Sequence, residues 1–420
     1  MESYLGSILP ELASAGHEVA FWHEGDEPMN REQIPLPAGV PSWSVADAGH
    51  VVALDALKSW RPDLLYSHGL LDPRVEAATL AVAPAVFFAH NYYGTCVSGT
   101  KTFRLPVARP CERTFGAGCL AHYYPRRCGG WSPRTMLREY RRQAARLRLL
   151  RRYQAIVTHS AHIREELVRH GLAASSAYKF PYYVRGSDEA MLLNGEAGEH
   201  VSAGRRLPLH GAGGGGHARQ LSEGAERRLL FLGRMDELKG GGVLLDALPR
   251  ASQLLRAPLS LTLAGDGPAR SLWERKAGRL AATAGGGGVR VEFTGWVDGE
   301  RIAALLDETD LLVLPSLWPE PFGLVGPEAG LRGVPAAAFD VGGVRDWLTD
   351  GVNGRLAPGD PPTAGGLAEA VADCLRDPAR HAGMRRAAVR LARRFNMKNH
   401  LDALFEVFRQ VLAQRTGAHV

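Results

Sequence analysis

The sequence predicts two α/β domains, each built on a parallel sheet. Three observations carry this. At 420 residues the chain is longer than one core of ordinary size needs. Short apolar strand patterns alternate with helical stretches nearly throughout. One stretch without periodicity, Asn194 to Glu226, divides that series in two.

The first series reads "EVAFWH", "DLLYSHG", "AVFFAHN" and "AIVTHS". These runs are close to continuously apolar, the pattern of parallel strands covered by helices on both faces. They define a first domain over 1–193. Within it, Ser132 to Gln154 is an arginine-dense helical pattern. Leu137, Tyr140, Ala144 and Leu147 recur at helical spacing and are expected to face a core. Arg138, Arg141, Arg142, Arg146 and Arg148 occupy the other faces. Two readings stand for residues 133–152: a solvated helix, or peripheral contact with an anionic membrane. A buried apolar stripe accounts for the leucines without a membrane.

Residues 194–226 are rich in glycine and are expected to be a flexible linker. "TAGGGGVR" reads as a second, shorter flexible loop. The second series, "RLLFLGR", "LSLTLAGDG", "VRVEFTGWV", "LLVLPS" and "PAAAFD", places a second domain over 227–393. A terminal helix follows over 394–420.

Hydrophobic residues make up 45% and charged residues 22%, an ordinary globular composition. No apolar run approaches the roughly 20 residues that span a bilayer. No basic-then-apolar leader stands at Met1, so a cytoplasmic address is expected. The formal net charge of +6 favours anionic partners. Nucleic acid is not among those expected.

The chemistry concentrates between Leu311 and Asp340. "LLVLPS" is a strand pattern, and in open α/β sheets ligands bind at the carboxyl ends of strands. A helix expected from about Gly323 points its free N–H groups at the same space, which suits a phosphate. Glu320 and Glu328 flank that junction. Carboxylates accept hydrogen bonds from hydroxyls. Phosphate between two hydroxyl-bearing groups describes a nucleotide sugar. The competing reading makes Glu320 a helix cap and Glu328 a surface residue, and the spacing alone leaves both open. Arg234 and Lys239, after another strand, are suited to clamping a diphosphate. Gly265 and Gly267 end a further strand, where backbone can approach a flat ring closely.

Taken together, "GRMDELKG", "LAGDGP", "FTGWV" and "PSLWPEPFGLVGPEAGLRGVPAAAFDVGGVRDWLTDGVNGRLAPGD" resemble the donor domain of retaining GT-B glycosyltransferases of family 4, group 1. The resemblance implies a GT-B fold: two Rossmann-like, doubly wound domains facing a cleft, with a C-terminal helix returning to the first. It implies that Arg234 and Lys239 bind the donor diphosphate. It gives Glu320 the donor sugar and Glu328 the ribose. The amides of Phe322, Gly323 and Leu324 would contact sugar and phosphate. "GPEAGLRG" departs from the family, which more often has an apolar residue before the second glutamate.

The first half is similar to the family's acceptor domain. "VFFAHN" matches a strand ending in a histidine near the reacting sugar, here His90. Its alternative is a hydrogen-bonded strand-end histidine. His90 and Glu320 are thus the catalytic candidates. In this family a strand and a glycine-rich loop precede the helix that here begins at Met1, so a truncated start is expected. The implied reaction moves a sugar from a UDP-, GDP- or ADP-sugar to a saccharide or lipid-linked hydroxyl acceptor, with retention and without a metal or other cofactor. A sugar-nucleotide epimerase and a non-catalytic nucleotide-sugar-binding protein are the alternatives.

Cys96, Cys111, Cys119 and Cys128 share one segment, and Cys374 stands alone. The four could hold structural zinc, pair as disulfides, or stay free thiols. They lack the close C-x-x-C spacing that decides such a case. Cys374 is expected in the core of a helix.

Overall fold

A computed structural model of the chain describes residues 2–25, 34, 36–184, 221–222, 224–283 and 288–417. The expected linker lies outside these residues except for 221–222 and 224–226. The middle of "TAGGGGVR", residues 284–287, also lies outside them.

Among the described residues the first domain carries eight short strands: β1 (Phe21–His23), β2 (Ser42–Ser44), β3 (Leu65–Ser67), β4 (Ala85–Phe88), β5 (Thr102–Phe103), β6 (Arg109–Pro110), β7 (Ala155–Thr158) and β8 (Ala177–Lys179). Parallel pairing orders four of them β3-β4-β7-β8, while β1 and β2 form a separate parallel pair. β5 and β6 make a small antiparallel hairpin. β4 and β7 are buried along their whole length. Side chains alternate across β4: Val86 and Phe88 join one core cluster, Ala85 and Phe87 the other. Both faces are therefore covered, as a continuous apolar run requires.

Among the described residues the second domain has one six-stranded parallel sheet: β9 (Arg227–Leu232), β10 (Leu259–Ala264), β11 (Val289–Gly295), β12 (Leu311–Leu314), β13 (Ala336–Phe339) and β14 (Gly354–Ala357). Its order is β11-β10-β9-β12-β13-β14. The chain reverses direction across the sheet between β9 and β12, so the crevice at their carboxyl ends is a topological switch point. The terminal helix, Met397–Gly417, packs on the first domain. His400 bonds Tyr4 and the carbonyl of Pro181, and Phe408 lies 5.3 Å from the ring of Tyr66.

Several expectations need correction. Leu137 is 42% exposed rather than facing a core. The Pro133–Leu150 helix buries its carboxyl-terminal half, through Gln143, Leu149 and Leu150, while its first turns project past the core. Arg142 and Arg146 are not simply solvated, since they donate to the carbonyls of Leu71 and Leu70. The strands β2, β8 and β14 and the β5–β6 hairpin were not expected; all are short or interrupted by polar residues. Among the described residues no helix is long and apolar enough to cross a membrane.

Candidate active site

The site forms where loops from neighbouring strands of the second sheet meet. After β9 the chain passes Gly233 and Arg234 into a 3-10 turn, Glu237–Lys239, capped by Asp236 Oδ1 accepting from Leu238 N at 3.0 Å. Gly240 ends the turn at φ +74°. A Cβ there would stand 1.7 Å from the carbonyl oxygen of Pro315, in the loop after β12. This close approach needs glycine and locks one loop against the other.

Lys239 is thereby carried to Glu320. Its Nζ donates to Glu320 Oε1 at 2.6 Å. The same oxygen accepts from Ser316 Oγ at 2.6 Å and Trp318 Nε1 at 2.8 Å. Glu320 is 3% exposed, and three donors at one oxygen offset the cost of burying a carboxylate. The capping reading of Glu320 fails. The helix runs Val325–Leu331, two residues later than expected, with Leu324 at its cap and no side-chain cap bond.

Glu328 lies half-buried in the first turn of that helix. Together with burial, the larger cause, its charge pushes the phenol of Tyr182 upward. Tyr182 follows β8 of the first domain, so Glu328 borders the space between the domains. Arg234 is exposed, and no ion pair is seen for it among the described residues. Gly265 and Gly267 leave room for neighbouring backbone: a Cβ on either would meet Gly233 O at 2.0 Å or Met235 O at 2.4 Å. Phe322 is 2% exposed and touches His159 edge-on at 5.1 Å. Gly323, at φ +89°, turns the chain into the helix, and its carbonyl and that of Leu324 accept the helix's first bonds, from Gly326 and Glu328. The N–H groups before a first helical turn have no intrahelical partner.

The opposing wall is histidine-rich. His90, half-buried after β4, is held by a 2.8 Å bond between its Nε2 and His68 Nδ1. Burial first, then His68 and His159, depress it well below the ordinary histidine range. Burial also pushes His68 and His159 down to about 3 and His400 to about 4. All are neutral near pH 7. A neutral imidazole can accept a proton or a hydrogen bond from a hydroxyl. His400 Nδ1 meets the Pro181 carbonyl at 2.9 Å and must donate. Its Nε2 then accepts from Tyr4, whose oxygen accepts from Tyr66.

Sequence reasoning singled out His90 and passed over His68 and His159. The signal was present: "YSH", "FAH" and "VTH" place a histidine just after three neighbouring strands. Tyr92 was also missed. Its hydroxyl donates to Pro319 O at 2.6 Å and, having one proton, accepts from His162 Nε2 at 2.7 Å. That bond ties the domains together beside Glu320. Asp346 does the same, accepting from Ala161 N at 3.0 Å and pairing with Lys179 at 2.5 Å. A carboxylate suits the amino end of the Ala161–Arg169 helix.

All five cysteines are free thiols. Among the described residues no group of three or more His, Cys, Asp or Glu is arranged to hold a metal ion. Burial raises the Cys111 thiol and pushes Cys128 up to about 12.

Residues 1–178 match the family described as Glycosyltransferase Family 4, and residues 226–377 match Glycosyl transferases group 1. The chain belongs to the family 4, group 1 glycosyltransferases. It is 28% identical over 395 residues to a glycogen synthase of Mycobacterium tuberculosis, covering 90% of this chain and 76% of that one. A D-inositol 3-phosphate glycosyltransferase of Streptomyces avermitilis is 37% identical over 184 residues, 43% of this chain and 39% of the relative. Among solved structures, sucrose-phosphate synthase of Thermosynechococcus elongatus superimposes with a TM-score of 0.59 at 19% identity, covering 97% of this chain and 92% of that one. HepE of Anabaena, solved with UDP and glucose, superimposes with a TM-score of 0.53 at 18% identity, covering 95% and 99%. This glycosyltransferase has the GT-B fold.

Proposed function

We propose that this glycosyltransferase takes a nucleotide-diphosphate sugar as donor and passes the sugar to a hydroxyl acceptor with retention of configuration. The observation that carries the reading is the Lys239–Glu320 pair at the switch point of the second sheet. A cation and a carboxylate at one strand end suit a ligand with phosphate beside hydroxyls. Arg234 and Lys239 bind the diphosphate and stabilise its charge as it leaves, a role that otherwise falls to a metal ion. Glu320 orients the sugar, and Glu328 holds the ribose. His90, neutral on the opposite wall, takes the hydrogen bond of a reacting hydroxyl. Relatives of the same fold solved with UDP and with UDP-glucose support the donor class.

A cytoplasmic address fits a nucleotide-sugar donor. Trp131 and Leu137, 67% and 42% exposed beside exposed arginines, support peripheral contact of the 133–150 helix with anionic lipid.

The test separates the glutamates. Glu328→Gln should weaken nucleoside diphosphate binding, measured by calorimetry, about ten- to a hundredfold, the worth of a charge-assisted hydrogen bond. Glu320→Gln should spare that ligand, which carries no sugar, and lower turnover instead. Equal loss of diphosphate affinity in both variants would reject the assignment.

A further inference from the structure

Between β4 and the Pro133–Leu150 helix the first domain inserts a segment that holds the β5–β6 hairpin and a short helix, Gly118–Tyr123. A cavity of about 380 Å³ opens on it. Arg109, Arg113, Arg126 and His122 line the cavity, together with Glu112 and with Asp360 of the second domain. No ion pair is seen for Arg109 or Arg113 among the described residues. Arg126 lies 5.5 Å from the centre of the Phe103 ring.

The cavity adjoins the cleft. Asp360 sits in the loop after β14, at the carboxyl edge of the second sheet. On the hairpin, Arg104 stands 3.8 Å from Glu237, two residues before Lys239. The Nε of Arg104 is buried without a hydrogen-bond partner.

The loop carrying the arginines is also anchored from beneath. Cys111 N donates to Lys101 O at 2.7 Å, and Lys101 Nζ donates to Arg113 O. Arg169 Nη1 donates to Glu112 O at 3.0 Å. Phe115 N donates to His170 Nε2 at 2.7 Å. Lys101 itself is paired with Glu166, and both are buried. A buried ion pair is costly to form, and here it fixes the backbone of an otherwise exposed loop. Free solvated arginines would not need that support.

We propose that this pocket holds the phosphate of a phosphorylated, hydroxyl-bearing acceptor. Guanidinium groups match phosphate with paired hydrogen bonds, and the two carboxylates accept from hydroxyls on the same molecule. The proposal rests on the transferase reading above and names the acceptor class for it.

The probes are glucose 6-phosphate, glucose, and vesicles containing phosphatidylinositol, which separate a free phosphate ester from a lipid-borne one. Calorimetry and vesicle sedimentation would be run on the wild type, Arg109→Ala/Arg113→Ala and Lys239→Ala, with UDP, GDP and ADP affinities measured beside them. Glucose 6-phosphate or the vesicles should bind the wild type at least tenfold better than glucose binds. The double arginine variant should lose about ten- to a hundredfold, while keeping its nucleoside diphosphate affinity and urea midpoint. Arg109→Lys/Arg113→Lys should recover part of the loss. Binding unchanged in the double variant, binding lost in Lys239→Ala, or no binding of either phosphate probe would overturn the proposal. Failure of the donor reading shows separately, as absent binding of UDP, GDP and ADP alike in the wild type.

Discussion

The two domains bury different things. The second places six strands side by side and fills the space around them with alanine, leucine and phenylalanine. The first divides its parallel strands between a pair and a set of four, and it buries Glu76, Lys101, Gln143, His159, Glu166 and His170 among its apolar residues. Glu76 takes hydroxyl bonds from Tyr93 and Tyr153, and burial raises its pKa. The second domain also buries Arg227, Asp310, Glu320, Asn353 and His381, so the difference is one of degree: the first relies more on paired polar groups whose bonds depend on protonation.

The largest expected effect sets the domains apart by pH. His68, His159, His162 and His400 are pushed down to about 3 or 4, all in the first domain or packed on it. In the second domain, among the described residues, His381 is the one histidine lowered. Unfolded histidine titrates near 6.5, so between about pH 6.5 and 4 the unfolded chain binds more protons and stability falls with acidification. Four such groups together make a slope on the order of 5 kcal/mol per pH unit below about pH 6. Hydrogen exchange at pH 7 and pH 5 should show β4 and β7 losing protection well before β12 and β13. Simultaneous loss in both sheets would break the contrast.

A second test compares two glycines at nearly the same positive φ. Gly240→Ala puts a Cβ into the Pro315 carbonyl and should lower stability by about 3–5 kcal/mol, measured by urea unfolding. Gly99, at φ +72°, has open space around it, so Gly99→Ala should cost only about 1–2 kcal/mol. Equal costs would mean that the loops after β9 and β12 are not held together as tightly as the close approach indicates.

A third test probes the seam. Tyr92→Phe removes the donor to Pro319 O and the acceptor of His162, at a cost of about 1–3 kcal/mol. The loss should appear as weaker coupling between two unfolding transitions in calorimetry. An unchanged thermogram would show that this bond carries no part of the contact.

Much of this arrangement was legible in the sequence. Continuous apolar runs such as "LLVLPS" and "AVFFAHN" announce covered parallel strands because burial on both faces leaves no polar alternation to confuse the period. The junction of Lys239 with Glu320 was legible only as two strand-end residues; the bond depends on Gly240 and Pro315 meeting across 75 positions, which no local pattern encodes. Leu137 misled because helical spacing marks a face, not how far the core extends along it. The pocket on the insertion escaped notice because its residues come from a hairpin of two-residue strands and from Asp360 in the other domain.

Asp346 has one more consequence. Its carboxylate grips the start of the Ala161–Arg169 helix and the Lys179 ammonium at once, at one side of the gap between the domains. A movement that keeps both bonds cannot slide one domain over the other; it must pivot about that point. The joint then acts as a fulcrum, with Arg104 and Glu237 on a lever arm. A rotation about that point would change the distance from Arg104 to Glu237 and from Asp360 to the arginines of the insertion.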